Sequence, residues 1–470
     1  MLNCVVICLV QQNKLSLKAF AFRFLGLSLA PFHREMCDLI QNNRHSVIIA
    51  PRQHGKTEIG TVAQCLWYAF YAEEPKLILL VSNVDDQASK LMNRVRDAIE
   101  LNPALSATLM PDSIYKEKWA ATELSCRNGV RIIARGLSPK IRGLPVNHLM
   151  CDDILRDDSG STSKTKKLFR EVLLPTINAT KGTLSVVGTP QSKIDLLHDL
   201  LDKDNGWAKA RFQAVYLNQD GSWKAPLWPR TGELGYTLDE LKKIQTTMDS
   251  VSWSKEMMCN PVSGNASLYP WDLIKDCVVE GIDNQGILKQ DAGYYMGCDV
   301  STSSNPNADF SVFTIGEKVG KQPFRVVHIV RCGGKTMDEQ GSIIRELDKK
   351  YCFSRVLVEQ NGISYDFVKV LQKDPQLGNK VEGFLTTHKN KERILGAVEI
   401  AFRNKNLFIP RNDILLEELL NFGIKEREDH FGGKTQSYEG LGAHDDCVMS
   451  LALCVECVGS GYVVPSVSLV

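Results

Sequence analysis

Two groups of residues in this chain could carry chemistry, and they lie in different halves. The first is Ala50-Pro51-Arg52-Gln53-His54-Gly55-Lys56-Thr57, entered from the apolar Ser46-Val47-Ile48-Ile49. A strand that runs into a Gly-containing turn and then a helix can aim backbone N–H groups at phosphate oxygens. In that arrangement Lys56 sits on the terminal phosphates and Thr57 offers its hydroxyl to Mg²⁺. The helix N-terminus adds an anion-favouring field. Ala50 stands where such loops carry their first Gly, so the pattern is incomplete. A surface Gly-Lys-Thr turn is the alternative, and the apolar strand before it argues against that.

A second ingredient of triphosphate hydrolysis follows downstream. His148-Leu149-Met150-Cys151-Asp152-Asp153 is an apolar run that ends in two carboxylates. Asp152 is the candidate for holding Mg²⁺, directly or through water, and Asp153 for orienting the attacking water. Between the two motifs, Lys76 to Ser82 reads as a buried parallel strand. Asp85 to Leu101 reads as a helix with Ala88, Leu91, Met92, Val95 and Ile99 on its apolar face, and Val130 to Ala134 as a short strand. Thr183 to Val187 is a further strand, ending in Gly188-Thr189-Pro190-Gln191, where Thr189 could sense a γ-phosphate. A strand followed by a plain Gly-Pro turn is the other reading. In Lys140-Ile141-Arg142-Gly143, Arg142 could act as an arginine finger, or belong to a solvated basic loop or one touching DNA phosphate.

The second half repeats the theme of acids at strand ends. Tyr294-Tyr295-Met296-Gly297-Cys298-Asp299 is a strand ending in a carboxylate, and Val300 to Asp309 is a polar loop. Phe310 to Gly316 and Arg325 to Arg331 supply two more strands, the opening meander of an RNase H-like fold. Arg355-Val356-Leu357-Val358-Glu359 ends in another acid, and Ala443-His444-Asp445-Asp446 opens the apolar helix Cys447 to Val458. Asp299, Glu359, Asp445 and Asp446 could converge on two Mg²⁺ ions roughly 4 Å apart, one activating water and the other stabilising a leaving 3′ oxygen. Oxygen ligands suit Mg²⁺ or Mn²⁺ rather than zinc. Each acid alone could equally be a cap or a turn residue. Asp309 is a weaker candidate, and the choice between Asp445 and Asp446 as main ligand stays open. Lys389, Lys391 and Arg393 could contact backbone phosphates, or simply begin a solvated helix. Lys164, Lys166, Lys167 and Arg170 could face DNA or lie on the surface.

Taken together, Arg52 to Thr57, Asp152-Asp153 and Gly188-Thr189-Pro190 resemble the large terminase of tailed phages, the DNA-packaging motor. Pro31 to Met36 resembles that family's adenine-recognition segment, with His33 where Gln is usual. Arg52, Gln53, His54, Gly55, Lys56, Thr57, Asp152 and Thr189 would then bind ATP and its Mg²⁺. The family's catalytic acid is usually Glu, one methylene longer than Asp153. Arg142 stands about where the family carries a finger, in cis or in trans. Ser252 to Pro261 resembles the segment that enters the terminase nuclease, and the rear acids resemble its motifs. The resemblance implies double-stranded DNA, a portal protein and a small terminase subunit as partners. It also implies a monomer in solution, a homo-oligomeric, pentameric ring on the portal, and action in the host cytoplasm outside the virion.

The bulk properties set looser bounds. At about 150 residues per domain, 470 residues suggest roughly three folding units. A net charge of +1 means that any DNA-binding face must be a local patch. The 14 cysteines have no small-secreted-domain spacing, which fits free thiols in a reducing cytosol. Cys454 and Cys457 form a CxxC, but inside an apolar helical run, where core packing is expected. No stretch has the ~20 apolar residues of a membrane span, and the apolar start lacks signal-peptide features.

The expected architecture is α/β: a P-loop (RecA-like) parallel-sheet ATPase domain, then an RNase H-like nuclease. The expected boundaries are a leader at 1–30, the ATPase at 31–190 and a lid at 191–262. A linker at 263–290, the nuclease at 291–458 and a tail at 459–470 follow. The competing functions are a helicase–nuclease of repair or restriction, and a scaffold with a decayed site.

Overall fold

The computed structural model describes residues 14–113, 118–155, 161–202, 204–261, 267–281, 288–301, 310–361, 364–428, 434–440 and 444–459. The chain forms two compact units that divide between Val262 and Ser263.

The first unit is built on an eight-stranded sheet. Its strands are β1 (His45–Ile49), β2 (Leu77–Ser82), β3 (Trp119–Ala120), β4 (Glu123–Ser125), β5 (Arg131–Gly136), β6 (His148–Asp152), β7 (Thr183–Gly188) and β8 (Ala208–Arg211). They lie in the order β3-β4-β5-β2-β6-β7-β1-β8, and β5 through β8 are all parallel. The apolar runs explain this: buried parallel strands must be hydrophobic on both faces. Along β1, Ile48 enters one core with Ile78, Leu80 and Met150. Val47 and Ile49 enter the other with Leu79, Val81 and Leu149, as the two-residue period of a strand requires. The helix Asp85–Leu101 buries Ala88, Leu91, Met92, Val95 and Ile99, the face expected from their spacing.

Residues beyond 190 do not all stand apart from this sheet. Strand β8 pairs with β1 and extends it. The hairpin of β9 (Val215–Leu217) and β10 (Trp223–Pro226) then joins the helices Leu238–Thr247 and Ser250–Glu256. Ala214, Val215, Leu241, Trp253 and Met257 form their small core, with Trp223 and Trp253 stacked at 5.4 Å.

The second unit holds a seven-stranded mixed sheet. Its strands are β11 (Val278–Val279), β12 (Ala292–Asp299), β13 (Ser311–Val319), β14 (Phe324–Cys332), β15 (Arg355–Glu359), β16 (Val381–Phe384) and β17 (Leu407–Pro410). The order is β11-β17-β14-β13-β12-β15-β16. Strands β12, β13 and β14 form the antiparallel meander, while β15 and β16 continue parallel to β12. A separate ribbon joins β18 (Phe422–Glu428) to β19 (Lys434–Gly440). The helix Asp446–Cys457 is buried along most of its length, as its apolar composition demands.

Candidate functional site

Strand β1 delivers the chain to the loop at 50–57. Gln53 and Gly55 take left-handed φ values of 59° and 71°. Gly55 is required twice over: its φ disfavours other residues, and a Cβ there would come 2.9 Å from His33 Nε2. Lys56 and Thr57 enter the following helix. Lys56 Nζ stands 3.3 Å from Asp153 Oδ2, and Thr57 Oγ1 stands 3.1 Å from both oxygens of Asp152. The two halves of the motif, on β1 and β6, therefore meet at the C-terminal edge of the sheet, where open α/β sheets place their ligands.

The electrostatics of this edge follow from burial. Burial and the neighbouring Asp153 push the Asp152 carboxyl up to about 7, while Lys56 and the Thr57 hydroxyl pull it down. Asp153 adopts φ 46° and accepts a hydrogen bond from Thr189 N–H through Oδ1 at 3.2 Å. The Thr189 hydroxyl donates to the Ala50 carbonyl at 3.0 Å. Thr189 thus ties the loop after β7 to both motifs.

His33 requires a correction. The sequence placed it toward a nucleotide base, but both ring nitrogens face backbone. Nδ1 accepts from Ala30 N–H at 3.2 Å, and Nε2 pairs with the His54 carbonyl at 2.9 Å. Those partners require the Nε2–H tautomer, so no ring nitrogen is left for a base. His33 is a brace of the phosphate loop. His54 is buried, with Nδ1 2.8 Å from the Arg52 carbonyl and its ring stacked on Tyr236 at 4.9 Å. Burial lowers it to about 4, so it is neutral in the loop. Arg52 and Gln53 are exposed; Arg52 N–H donates to the Glu256 carbonyl at 3.0 Å. Sequence reasoning missed Tyr236, Trp228 and Glu256, since only folding brings them to the loop.

In the second unit, Cys298 pairs with Val358 across parallel strands, which sets Asp299 and Glu359 side by side at the strand ends. Asp446 begins its helix, and that helix lies directly on β12. A Cβ at Gly297 would meet Cys454 N and Ser450 O at 2.2 Å. Ser450 Oγ lies 2.9 Å from the Gly297 carbonyl and 2.8 Å from Thr314 Oγ1. Burial, then Glu359 and Asp446, hold the Asp299 carboxyl well above the usual range. Burial also raises Asp446, against the bond it accepts from Phe310 N–H. Asp445 Oδ2 faces Lys391 Nζ at 3.4 Å, and Glu359 Oε1 accepts from Asn361 Nδ2 at 3.1 Å.

Four carboxylates that repel one another make an oxygen-only donor set, the chemistry of a hard divalent cation. Among the described residues, no three Asp, Glu, His or Cys side chains stand at a spacing that encloses one ion. The convergence is of strand ends and a helix start rather than of a closed cage.

Residues 25–171 match the family described as the ATPase domain of phage terminase large subunit gpA. This part of the chain is therefore similar to a terminase large-subunit ATPase domain. No curated protein matches the sequence. Similar solved structures include the large terminase of bacteriophage HK97, at 14% identity and TM-score 0.48, covering 94% of this chain and 98% of that one. The large terminase of a thermophilic bacteriophage has 12% identity and TM-score 0.35, with coverage of 93% and 96%. The large terminase nuclease of the thermophilic phage G20c with bound magnesium has 20% identity and TM-score 0.34. It covers 41% of this chain and 98% of that one.

Within the matched segment, Arg142 is exposed after the turn Pro139–Ile141. Lys166 is neither DNA-facing nor on the surface: it is buried, 3.1 Å from Asp199 Oδ2. Arg170 reaches the same oxygen at 3.0 Å, while Lys164 and Lys167 are exposed. In the second unit Lys389 is exposed. Arg393 forms a two-pronged pair with Glu456, both contacts at 2.9 Å. That pair joins two helices in bidentate geometry. The thiols of Cys454 and Cys457 donate to the Tyr295 and Met296 carbonyls within the core. Asp309 lies outside the described residues. Among those residues, no helix is long and apolar enough to cross a membrane.

Proposed function

We propose that this chain is a viral DNA-packaging motor that joins an ATPase to a divalent-metal endonuclease. The observation that carries it is the meeting of Lys56 and Thr57 with Asp153 and Asp152 inside a terminase ATPase domain. Lys56 binds the terminal phosphates, Arg52 to Gly55 shape the loop around them, and Thr189 reports their state to Asp153. Asp153 orients the attacking water, and Arg142 supplies the finger. Thr57 and Asp152 would hold a divalent cation that would supply neutralisation of phosphate charge, and the rear acids would hold one that would supply water activation against a phosphodiester.

Hydrolysis moves the segment at 190–260, which the loop touches through the His54–Tyr236 stack and the Arg52–Glu256 bond. That movement advances double-stranded DNA. Asp299, Glu359, Asp445 and Asp446 would hold Mg²⁺ or Mn²⁺ for cutting concatemeric DNA, with exposed Lys389 along the DNA path. The protein works in the host cytoplasm with a small terminase subunit. It assembles as a ring on a portal protein.

The test is DNA-stimulated ATP hydrolysis together with plasmid nicking in Mn²⁺. Both should be present; well-folded protein that is silent in both would contradict the reading. Strand displacement would point instead to a helicase–nuclease, which the terminase family match does not favour.

A further inference from the structure

The helix that begins with Asp446 lacks a cap of its own. Asp445 occupies the cap position, but its side chain accepts no bond from the helix N-terminus. The cap comes from elsewhere in the chain: Glu418 Oε2 accepts the Cys447 N–H at 2.7 Å. Glu418 is only 4% exposed, on the otherwise apolar face of the helix Asp413–Leu420. Its other oxygen lies 4.0 Å from Arg331 Nη2. The Arg331 guanidinium carbon in turn lies over the Phe310 ring, 3.4 Å from its centroid, and Phe310 N–H donates to Asp446 Oδ2 at 3.1 Å.

Asp446 is therefore held from two directions by one chain of contacts. Phe310 holds its carboxylate, and Glu418 holds the peptide N–H just after it, with Arg331 between them. With the cap supplied from another helix, the Asp445 side chain does not have to cap this one.

We infer that Glu418 and Arg331 are positioning residues for the nuclease, setting the Asp446 carboxylate for a divalent cation. The inference rests on the nuclease reading above. Groups that orient metal ligands typically contribute about 10–100-fold in metal affinity.

The experiment is calorimetric titration of Mn²⁺ into the nucleotide-free full-length chain, with plasmid nicking on the same preparations. Glu418→Ala should weaken Mn²⁺ binding about 10-fold or more and leave ATP turnover at the wild-type rate, with a wild-type circular dichroism spectrum and a cooperative melt of the second unit certifying its fold. Glu418→Gln should recover most of the binding, because its amide oxygen still accepts the Cys447 N–H. Arg331→Lys, which keeps the charge but loses the planar guanidinium over the Phe310 ring, should weaken binding in the same direction. Wild-type Mn²⁺ affinity in Glu418→Ala and Arg331→Lys, with Asp446→Asn defective, would overturn the inference alone. Undiminished binding and nicking in Asp446→Asn would overturn the nuclease reading, and the inference with it.

Discussion

Lys56 and Asp153 form an ion pair, Nζ to Oδ2 at 3.3 Å, between the phosphate loop and the end of β6. The Lys56 side chain is almost fully enclosed and that of Asp153 is 43% exposed. A half-exposed pair of this kind is weak, so a polyphosphate can take Lys56 from it. Asp153 would then be released toward water, free for the water-orienting role proposed for it.

Asp153→Asn separates those two roles. Freed of its partner, Lys56 should bind nucleotide at least as tightly as before. Turnover should fall about 10²-fold or more, the usual contribution of a general base. A fluorescent nucleotide titration and a steady-state phosphate assay measure the two quantities. Equal losses in both would remove Asp153 from catalysis.

Arg142 is exposed after the turn Pro139–Ile141 and before Gly143, and its proposed role is that of the finger. Arg142→Ala should lower turnover about 10³-fold or more with little change in the unfolding midpoint. If Arg142 acts in trans, mixing it with Lys56→Ala protein on assembled rings should restore part of the activity. An unchanged rate would leave Arg142 as a solvated loop cation.

The pH dependence of stability in the ATPase unit should carry a histidine signature. His148 stacks on Tyr68 at 3.7 Å and bonds the Thr183 hydroxyl. Burial, with Lys76 and Lys14 nearby, lowers it to about 4 from an ordinary 6.5. The folded state thus binds fewer protons than the unfolded chain between those values. Stability present above pH 6.5 is lost as pH falls toward 4, by about 3 kcal/mol. His148→Phe keeps a ring on Tyr68 and cannot take the proton, so its denaturation midpoint should fall less steeply over that range. Identical slopes would contradict the assignment.

At Gly297 the strand β12 leaves no room for a Cβ against the backbone of the helix Asp446–Cys457. Gly297→Ala should cost about 1–3 kcal/mol, since the Cβ would meet helix backbone rather than a yielding side chain. Because the helix carries Asp446, nicking should fall while ATP turnover is kept. Thermal melts and the two assays, run on one preparation, check this.

What could be read from the sequence was whatever repeats locally. The helix Asp85–Leu101 and the strand Arg355–Glu359 have the bounds their apolar periods suggest, and the acids Asp152, Asp299 and Glu359 do end strands. Contacts set by long-range packing were not legible. Nothing near His33 in sequence shows that His54, twenty-one residues later, takes its Nε2. Lys166 looked like one of a basic cluster until the fold buried it against Asp199. Glu418 did leave a trace, as an acid among leucines on a helix face, but its partner Cys447 is 29 residues away. Strand β8 is short and weakly apolar, so its addition to the sheet beside β1 had no local signal.

The central claim is that one chain carries two independent active sites, and a single paired assay tests it. Steady-state ATP hydrolysis and Mn²⁺-dependent plasmid nicking are measured for wild type, Lys56→Ala and Asp299→Asn. Lys56→Ala should lose ATP turnover by about 10²–10³-fold or more and keep nicking, and Asp299→Asn should do the reverse. Loss of both activities in either well-folded variant, or of neither, would contradict it.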